Sequence, residues 1–360
     1  MDHDRHGTRG SASFGGLGAR DVVESVDLAD DPSVLDRGGP WFVVVPFEGG
    51  GRAWRFRDVT ASSFPPDDGT AAWEGPAPDA WRTSLDARAY EAAVRTVREE
   101  IRAGEVYQVN VCRVLEAPLP VRAGREPDAR ALAGVLAAGN PAPHGGYLHV
   151  PAGSGVEPVW VVSASPELFL SVRDGVLTSG PIKGTAADPG GLTAKDRAEN
   201  VMITDLVRND LQRVCEPGSV EVVDLLAKEE HPGLVHLVSR VAGRTRTGTG
   251  WAEVLAATFP PASVSGAPKS SALRSIRRLE PVPRGPYCGA VGWVYPARGR
   301  AELAVGIRTF WWSGGVLRFG TGAGITWGSD PAREWDETEL KARRLVGLAS
   351  SGVRRSKEDG

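Results

Sequence analysis

Cysteine is scarce: Cys112, Cys215 and Cys288 are the three in 360 residues, far apart and odd in number. An odd set with no C-x-x-C spacing excludes a disulfide framework and a thiol-built zinc site, and suits a reducing compartment. No run approaches the roughly 20 apolar residues that cross a membrane. No apolar stretch follows the charged start Met1-Asp2-His3-Asp4-Arg5-His6 either, so neither a membrane span nor a signal peptide is expected. Charge of one sign is also missing. With 42 Lys and Arg against 45 Asp and Glu, the formal charge is -3, which argues against non-specific nucleic-acid binding. These absences leave a cytoplasmic globular enzyme or enzyme subunit, long enough for one large or two smaller domains.

What is present is a succession of helical and alternating patterns. Residues 1–18 are polar and Gly/Ser-rich and are expected to be flexible. Residues 19–83 read as a strand-rich segment, with Trp41–Val45 and Ala53–Phe56 joined through Gly49-Gly50-Gly51 and a Pro/Asp/Gly loop from about Ser63 to Pro78. A helix from near Ser84 carries Tyr90, Val94, Val97 and Ile101 as one apolar stripe and stops at Gly104. Val106–Val114 then alternates, placing Gln108, Asn110 and Cys112 on a face that meets either water or a polar site.

Further helices are expected at Pro127 to about Ala138, Thr193–Arg213, Trp251–Ala257, around Leu273, Ile276 and Leu279, and after Asp330-Pro331. Thr193 with Asp196 forms a capping-box-like start. Leu168–Val172 and Val176–Ser179 make a hairpin through Asp174-Gly175. Tyr287–Tyr295, Glu302–Trp312 and Val316–Gly320 alternate as strands. Gly320-Thr321-Gly322-Ala323-Gly324 reads as a glycine-rich loop. It leads into Asp330-Pro331 rather than opening a helix after a first strand, so it is no dinucleotide fingerprint. Residues 351–360 read as a polar tail.

The chemistry centres on Lys183, pinned between Pro181 and Gly184 in Thr178-Ser179-Gly180-Pro181-Ile182-Lys183-Gly184-Thr185. Such a lysine is either a solvated loop residue or a nucleophile whose pKa burial has lowered. Glu167 precedes the first strand of the 168–179 hairpin and Lys183 follows the second, so the two should be neighbours. They form either a salt bridge or an acid beside a nucleophile. Asp196 and Glu199 share a helix face, a pair that by itself reads as dipole complement and solvation before a ligand set, and Glu334, Glu337 and Lys341 share another. Glu199 with Glu337 is a plausible Mg²⁺ pair. Arg308, read as mid-strand, needs water or an anion. His236, among apolar residues, reads as a satisfied core histidine more readily than a catalytic one. The small-residue loop ending in Ser265-Gly266-Ala267-Pro268-Lys269 offers backbone N–H groups to a carboxylate or phosphate.

Taken in order, several segments resemble the chorismate-utilising enzymes: Gly104-Glu105-Val106-Tyr107-Gln108-Val109-Asn110, Ser165-Pro166-Glu167-Leu168-Phe169, Pro181-Ile182-Lys183-Gly184-Thr185, Asp196-Arg197-Ala198-Glu199-Asn200 with Asp205-Leu206-Val207-Arg208-Asn209-Asp210, Ser265-Gly266-Ala267-Pro268-Lys269, Ile307-Arg308-Thr309, and the block from Gly322-Ala323-Gly324 to Glu337. The resemblance runs from about Tyr90 to Ala349. It implies an α+β fold, two antiparallel β-sheets packed as a sandwich with flanking helices, and a chorismate-binding catalytic domain at 84–350. Relatives that add water carry a lysine where this chain has Gln108, and anthranilate-forming relatives typically have alanine where it has Lys183. The branch implied is therefore the one that aminates chorismate at carbon 4, toward p-aminobenzoate and folate.

The site residues follow from the same resemblance. Mg²⁺ would be held by Glu199 and Glu337, with Asp196 and Glu334 further out. Lys183 would be the covalent nucleophile and Glu167 the acid, with His236 near the ring carboxylate or leaving group. Tyr287, Arg308 and the backbone of Gly322, Ala323 and Gly324 would hold the enolpyruvyl carboxylate. Gln108, Ser263, Gly266, Ala267 and Lys341 would complete the substrate contacts. No Gly-x-Cys-x-Gly nucleophile turn is present, so ammonia is expected from a glutamine amidotransferase subunit in a heterodimer, and a separate lyase would finish p-aminobenzoate. The Leu-Leu-Glu-Ser element of tryptophan feedback is not found. Gly180, Ala186-Ala187 and Pro261-Ala262 depart from the pattern of the relatives. The alternatives are an anthranilate-forming enzyme, a specialised-metabolism relative, or a non-catalytic glutaminase-binding subunit. Intact Lys183, Glu167, Glu199, Glu334 and Glu337 weigh against the last.

Overall fold

The β-branched and aromatic runs form strands that join, edge to edge, into one antiparallel ladder. In a computed structural model, the protein is described over residues 9–61, 72–186, 190–231 and 234–350. Gln108–Pro118 pairs with Val316–Ile325, followed by Thr309–Ser313, Val159–Ser165 and His144–Val150. Ser11–Phe14, Leu17–Asp27 and Arg52–Ala61 carry the ladder onward to Trp41–Val45. Ala290–Tyr295, Arg300–Val305, Leu168–Arg173, Val176–Gly180, Leu234–Arg244 and Glu221–His231 extend it further.

The two halves of this ladder fold face to face. Val109, Val111, Ala323 and Ile325 of one half pack in a single core with Val43, Val45, Leu177, Leu303 and Val305 of the other. Among the described residues, six α-helices flank the sheet: α1 (Ala87–Arg102), α2 (Ala129–Gly139), α3 (Ala194–Gln212), α4 (Trp251–Thr258), α5 (Lys269–Leu279) and α6 (Pro331–Ser350). The expected apolar stripe of α1 is inward, with Tyr90, Val94 and Val97 fully buried and Asp86 capping its first turn through the Ala89 N–H. Among the described residues, no helix is long and apolar enough to cross a membrane.

Three local expectations change. Residues 11–14 and 17–18, expected to be part of a flexible start, belong to two strands, joined by a turn at Gly15-Gly16, that bridge the halves. Ala12 and Phe14 are buried there because distant strands supply the cover that the local composition lacks. The strand expected over Glu302–Trp312 is two, Arg300–Val305 and Thr309–Ser313. The break is at Arg308, whose φ of 53° lies in the left-handed region that a ladder does not accept. Gly320–Gly324 is not a loop but part of the strand Val316–Ile325. The tail at 351–360 and part of the 63–78 loop lie outside the described residues.

Arg284 holds two of these parts together from inside. Its guanidinium donates to Glu280 (2.8 and 2.5 Å), to the Val264 carbonyl (2.9 Å) and to the Asn110 carbonyl (2.7 Å), and stacks 4.1 Å over Phe47. Glu280 also accepts the Cys112 N–H at 2.9 Å. Breaking a buried pair strands the surviving charge, which costs roughly 3–5 kcal/mol, whereas replacing both partners with apolar residues is often nearly neutral. Arg284→Met should therefore lower the urea midpoint sharply. The double change Arg284→Met with Glu280→Leu should recover much of the loss.

Candidate active site

Lys183 lies on the short strand Ile182–Ala186, which pairs with Leu234–Arg244 through a register shift between Ile182 and Thr185. An irregularity of this kind re-aims a side chain out of the regular alternation. Gly184, at φ 87°, completes the turn, and a Cβ there would collide with Asp196. Asn200 of α3 secures the strand from behind, donating to the Leu237 carbonyl at 2.8 Å and reaching the Lys183 carbonyl at 3.5 Å. The ammonium ends near Gly324, 3.4 Å from where a Cβ would stand, and the Gln108 amide fills the same space.

Glu167 sits opposite, 3% exposed. Its N–H donates to Ser165 Oγ at 3.2 Å, and its carbonyl accepts the Val305 N–H at 3.0 Å. Burial raises its pKa to about 7, against the pull of the Ser263 hydroxyl, the Lys183 charge and the Ile182 N–H. Burial likewise lowers the Lys183 pKa, although Glu199 and Glu167 favour its charge. Among the described residues, no carboxylate lies within ion-pair distance of Lys183. The plain salt bridge left open by the hairpin geometry is not made. A weakened acid and a deprotonation-prone amine instead stand near each other without pairing.

Carboxylates border these two side chains. Glu199 projects from α3 and is raised by burial, with one oxygen, Oε1, buried and lacking a hydrogen-bond partner. Glu334, 4% exposed, and the half-exposed Glu337 come from α6. Lys341 lies 2.6 Å from Glu337 and donates to the Gly322 carbonyl at 3.1 Å. Burial would raise Glu337, but Lys341 holds it lowered. Asp196 is largely committed to the N-terminus of α3, accepting from the Thr193 N–H (2.8 Å) and Oγ1 (2.7 Å) in a full capping box.

A hard divalent cation fits this donor set. The ligands on offer are carboxylate oxygens, and the buried Glu199 Oε1 accepts no hydrogen bond, an ammonium standing off at 3.6 Å. Among the described residues, no three acids already converge to metal-binding distance. Between them stands a residue that the sequence reading did not single out, Lys195, 3.4 Å from Glu334 and 3.6 Å from Glu199.

Ser263 is buried beside Glu167. Gly266 and Ala267 pair with Val109 and Gln108. Gln108 is buried, with its Oε1 unpartnered, so its polar face meets a site rather than bulk water. Gly322, Ala323 and Gly324 pair with Cys112, Val111 and Asn110. The strand on their other edge stops pairing at Phe319, so beyond it that edge has no ladder partner among the described residues.

Arg308 has no carboxylate partner among the described residues, and burial alone lowers its pKa. Tyr287 is buried, its hydroxyl 3.8 Å from Cys112 Sγ. His236 is buried on the strand beside Thr185, close in register to Lys183. The sequence reading also missed Arg113. It bonds Thr338 Oγ1 (3.0 Å) and Thr83 Oγ1 (3.1 Å), pairs with Glu339 and stacks 4.2 Å over Trp335, pinning α6 and its acids to the sheet.

Comparison with known proteins accords with this geometry. The chain is 37% identical over 276 residues to anthranilate synthase component 1 of Saccharolobus solfataricus, covering 73% of this chain and 62% of that protein. It is 36% identical over 279 residues to aminodeoxychorismate synthase component 1 of Klebsiella aerogenes, covering 74% of this chain and 59% of that protein. The chain thus spans about six-tenths of the length of these two relatives. The crystal structure of anthranilate synthase component I from Streptococcus pneumoniae superposes with a TM-score of 0.75 at 21% identity, over 95% of this chain and 91% of that one. That likeness shows a shared fold. The family described as chorismate binding enzyme matches residues 57–347. With most of its length inside that match, the protein belongs to the chorismate binding enzymes.

Proposed function

We propose that the chain is the synthase component of an aminodeoxychorismate synthase, converting chorismate and ammonia to 4-amino-4-deoxychorismate. The observation that carries this reading is the unpaired Lys183 amine beside Glu167, which is protonated below about pH 7. An amine and an acid placed together allow one difficult displacement to be divided into two easier ones.

In the first step the Lys183 amine bonds to ring carbon 2. The diene electrons shift, the C4–O bond breaks, and Glu167 gives its proton to the departing hydroxyl, releasing water. In the second step ammonia bonds to carbon 4, the shift reverses, and the C2–N bond breaks to free the Lys183 amine. The Glu167 carboxylate takes up the proton shed by the new ammonium. Arg308 offers its unpaired guanidinium to the enolpyruvyl carboxylate, and Gln108, which cannot act as a base near neutral pH, leaves water unactivated. Mg²⁺ held by Glu199 and Glu337, with Glu334 close by, would withdraw electron density from the ring through its carboxylate. Ammonia would come from a glutamine amidotransferase partner. Anthranilate formation is the second reading, because relatives of both names match at similar identity.

The purified chain, given chorismate, Mg²⁺ and a high ammonium concentration, should form a product that keeps its pyruvyl carbons and carries one amino group in place of a hydroxyl. Mass spectrometry distinguishes this from anthranilate with free pyruvate, which would establish the second reading. Lys183→Ala should abolish a lysine-linked adduct and most turnover. Undiminished amination by that variant would remove the covalent route.

Because Glu167 must enter protonated, kcat/KM should fall as pH rises through about 7. Glu167→Gln should lose that limb together with roughly 10²–10⁴ of rate. The same shift bears on stability. A carboxyl raised in the folded state binds more protons there than when unfolded, so its contribution declines as pH climbs from the unfolded value toward about 7. Glu167→Gln should therefore gain melting temperature relative to wild type at pH 8 and not at pH 4.

A further inference from the structure

We propose that Lys195 is a resident counter-cation of the carboxylate cluster, bridging Glu199 and Glu334 until a divalent ion displaces it. This inference rests on the reading of the cluster as a metal site. Its geometric basis is independent of the substrate. Lys195 stands in the first turn of α3, one turn before Glu199, with its ammonium 3.6 Å from Glu199 Oε1 and 3.4 Å from Glu334 Oε1. These oxygens belong to side chains only 15% and 6% exposed, whereas Lys195 itself is 48% exposed. The acids are thus fixed and the cation is at the rim.

Burial favours this arrangement. Glu199 and Glu334 sit on different helices, α3 and α6, and two buried carboxylates facing each other without a cation repel. A compact ammonium on a flexible four-carbon stem can fill the gap and can also leave it, since its stem reaches water. Glu337 has its own lysine, Lys341, and that ammonium is anchored to the Gly322 carbonyl. The Lys195 ammonium has no backbone anchor among the described residues; its contacts are the two carboxylates. A cation held by Glu199 and Glu337, with Glu334 close by, must therefore displace the Lys195 contacts to Glu199 and Glu334, whereas the Lys341 ammonium keeps the Gly322 carbonyl when Glu337 turns to the metal. Lys195 keeps α3 and α6 in register without metal, and it weakens metal binding by the free energy of the two contacts.

The test is calorimetric titration of the full chain with MgCl₂, without substrate, for wild type, Lys195→Met and Lys195→Arg. Lys195→Met should bind Mg²⁺ roughly three- to tenfold more tightly, the range that two partly exposed ion pairs supply. Without metal it should melt at a lower temperature than wild type, and saturating Mg²⁺ should narrow that gap. Lys195→Arg keeps the charge and grips both carboxylates with a planar fork, so it should bind Mg²⁺ more weakly than wild type, which keeps the idea testable if Lys195→Met fails to fold. Glu199→Gln should lose the calorimetric signal, locating it at this cluster. Wild-type binding with Lys195→Met unchanged or weaker would overturn the role of Lys195 alone. No binding by wild type would overturn the metal reading and this inference with it.

Discussion

An ammonium and a carboxyl buried near each other ordinarily collapse into an ion pair, and the chemistry suggested for this protein depends on their not doing so. Lys183 and Glu167 face each other across the mouth of a hairpin, yet they are held by separate devices. A register shift and the turn at Gly184 aim the lysine, while Ser165 and Val305 fix the backbone of the glutamate. Desolvation then acts on both in the direction of neutrality, lowering one pKa and raising the other. Most of the rest of the fold can be read as what keeps those two backbones where they are. Asn200 ties α3 to the lysine strand, Arg284 ties the Ser263 turn to the strand carrying Gln108, and Arg113 ties α6 to that same strand.

Much of the site was legible in the sequence because its parts are punctuated. Pro181 and Gly184 around Lys183, Asp174-Gly175 in the hairpin and Thr193 with Asp196 at the start of α3 are local signals with local causes, and the structure carries each out. Periodicity likewise found the buried face of α1. What escaped depends on residues distant in sequence. Ala12 and Phe14 look like part of a polar leader until His144–Val150 covers them. The glycines at 322 and 324 suggest a loop by composition, but they are strand residues whose missing side chains leave room for Cys112 and Gln108. Alternation through residues 302–312 could not reveal a left-handed residue at Arg308.

Charged residues were the hardest to place. Lys195, next to a capping aspartate on a helix surface, has the sequence signature of a solvated side chain, and only the approach of α6 turns it into part of a cluster. Arg113 finds Thr338 225 positions away, and Arg284, besides Glu280 four residues before it, reaches the Asn110 carbonyl 174 positions away. A buried guanidinium is intelligible once its acceptors are known and nearly invisible before.

The order of pairing along the ladder bears on how the protein comes to exist at all. Trp41–Val45 finds its outer neighbour in Ala290–Tyr295, and Gln108–Pro118 finds its own in Val316–Ile325. On the ribosome, these early strands must wait with open edges until residues 290–325 have been made. Glu334, Glu337 and Lys341 arrive later still, on the final helix. Non-local pairing of this kind slows folding and leaves unpaired edges exposed to aggregation in the interval. The carboxylates of the site therefore join Lys183 and Glu167 only after the strands that carry those two residues have been made, and the early sheet edges are open throughout that interval.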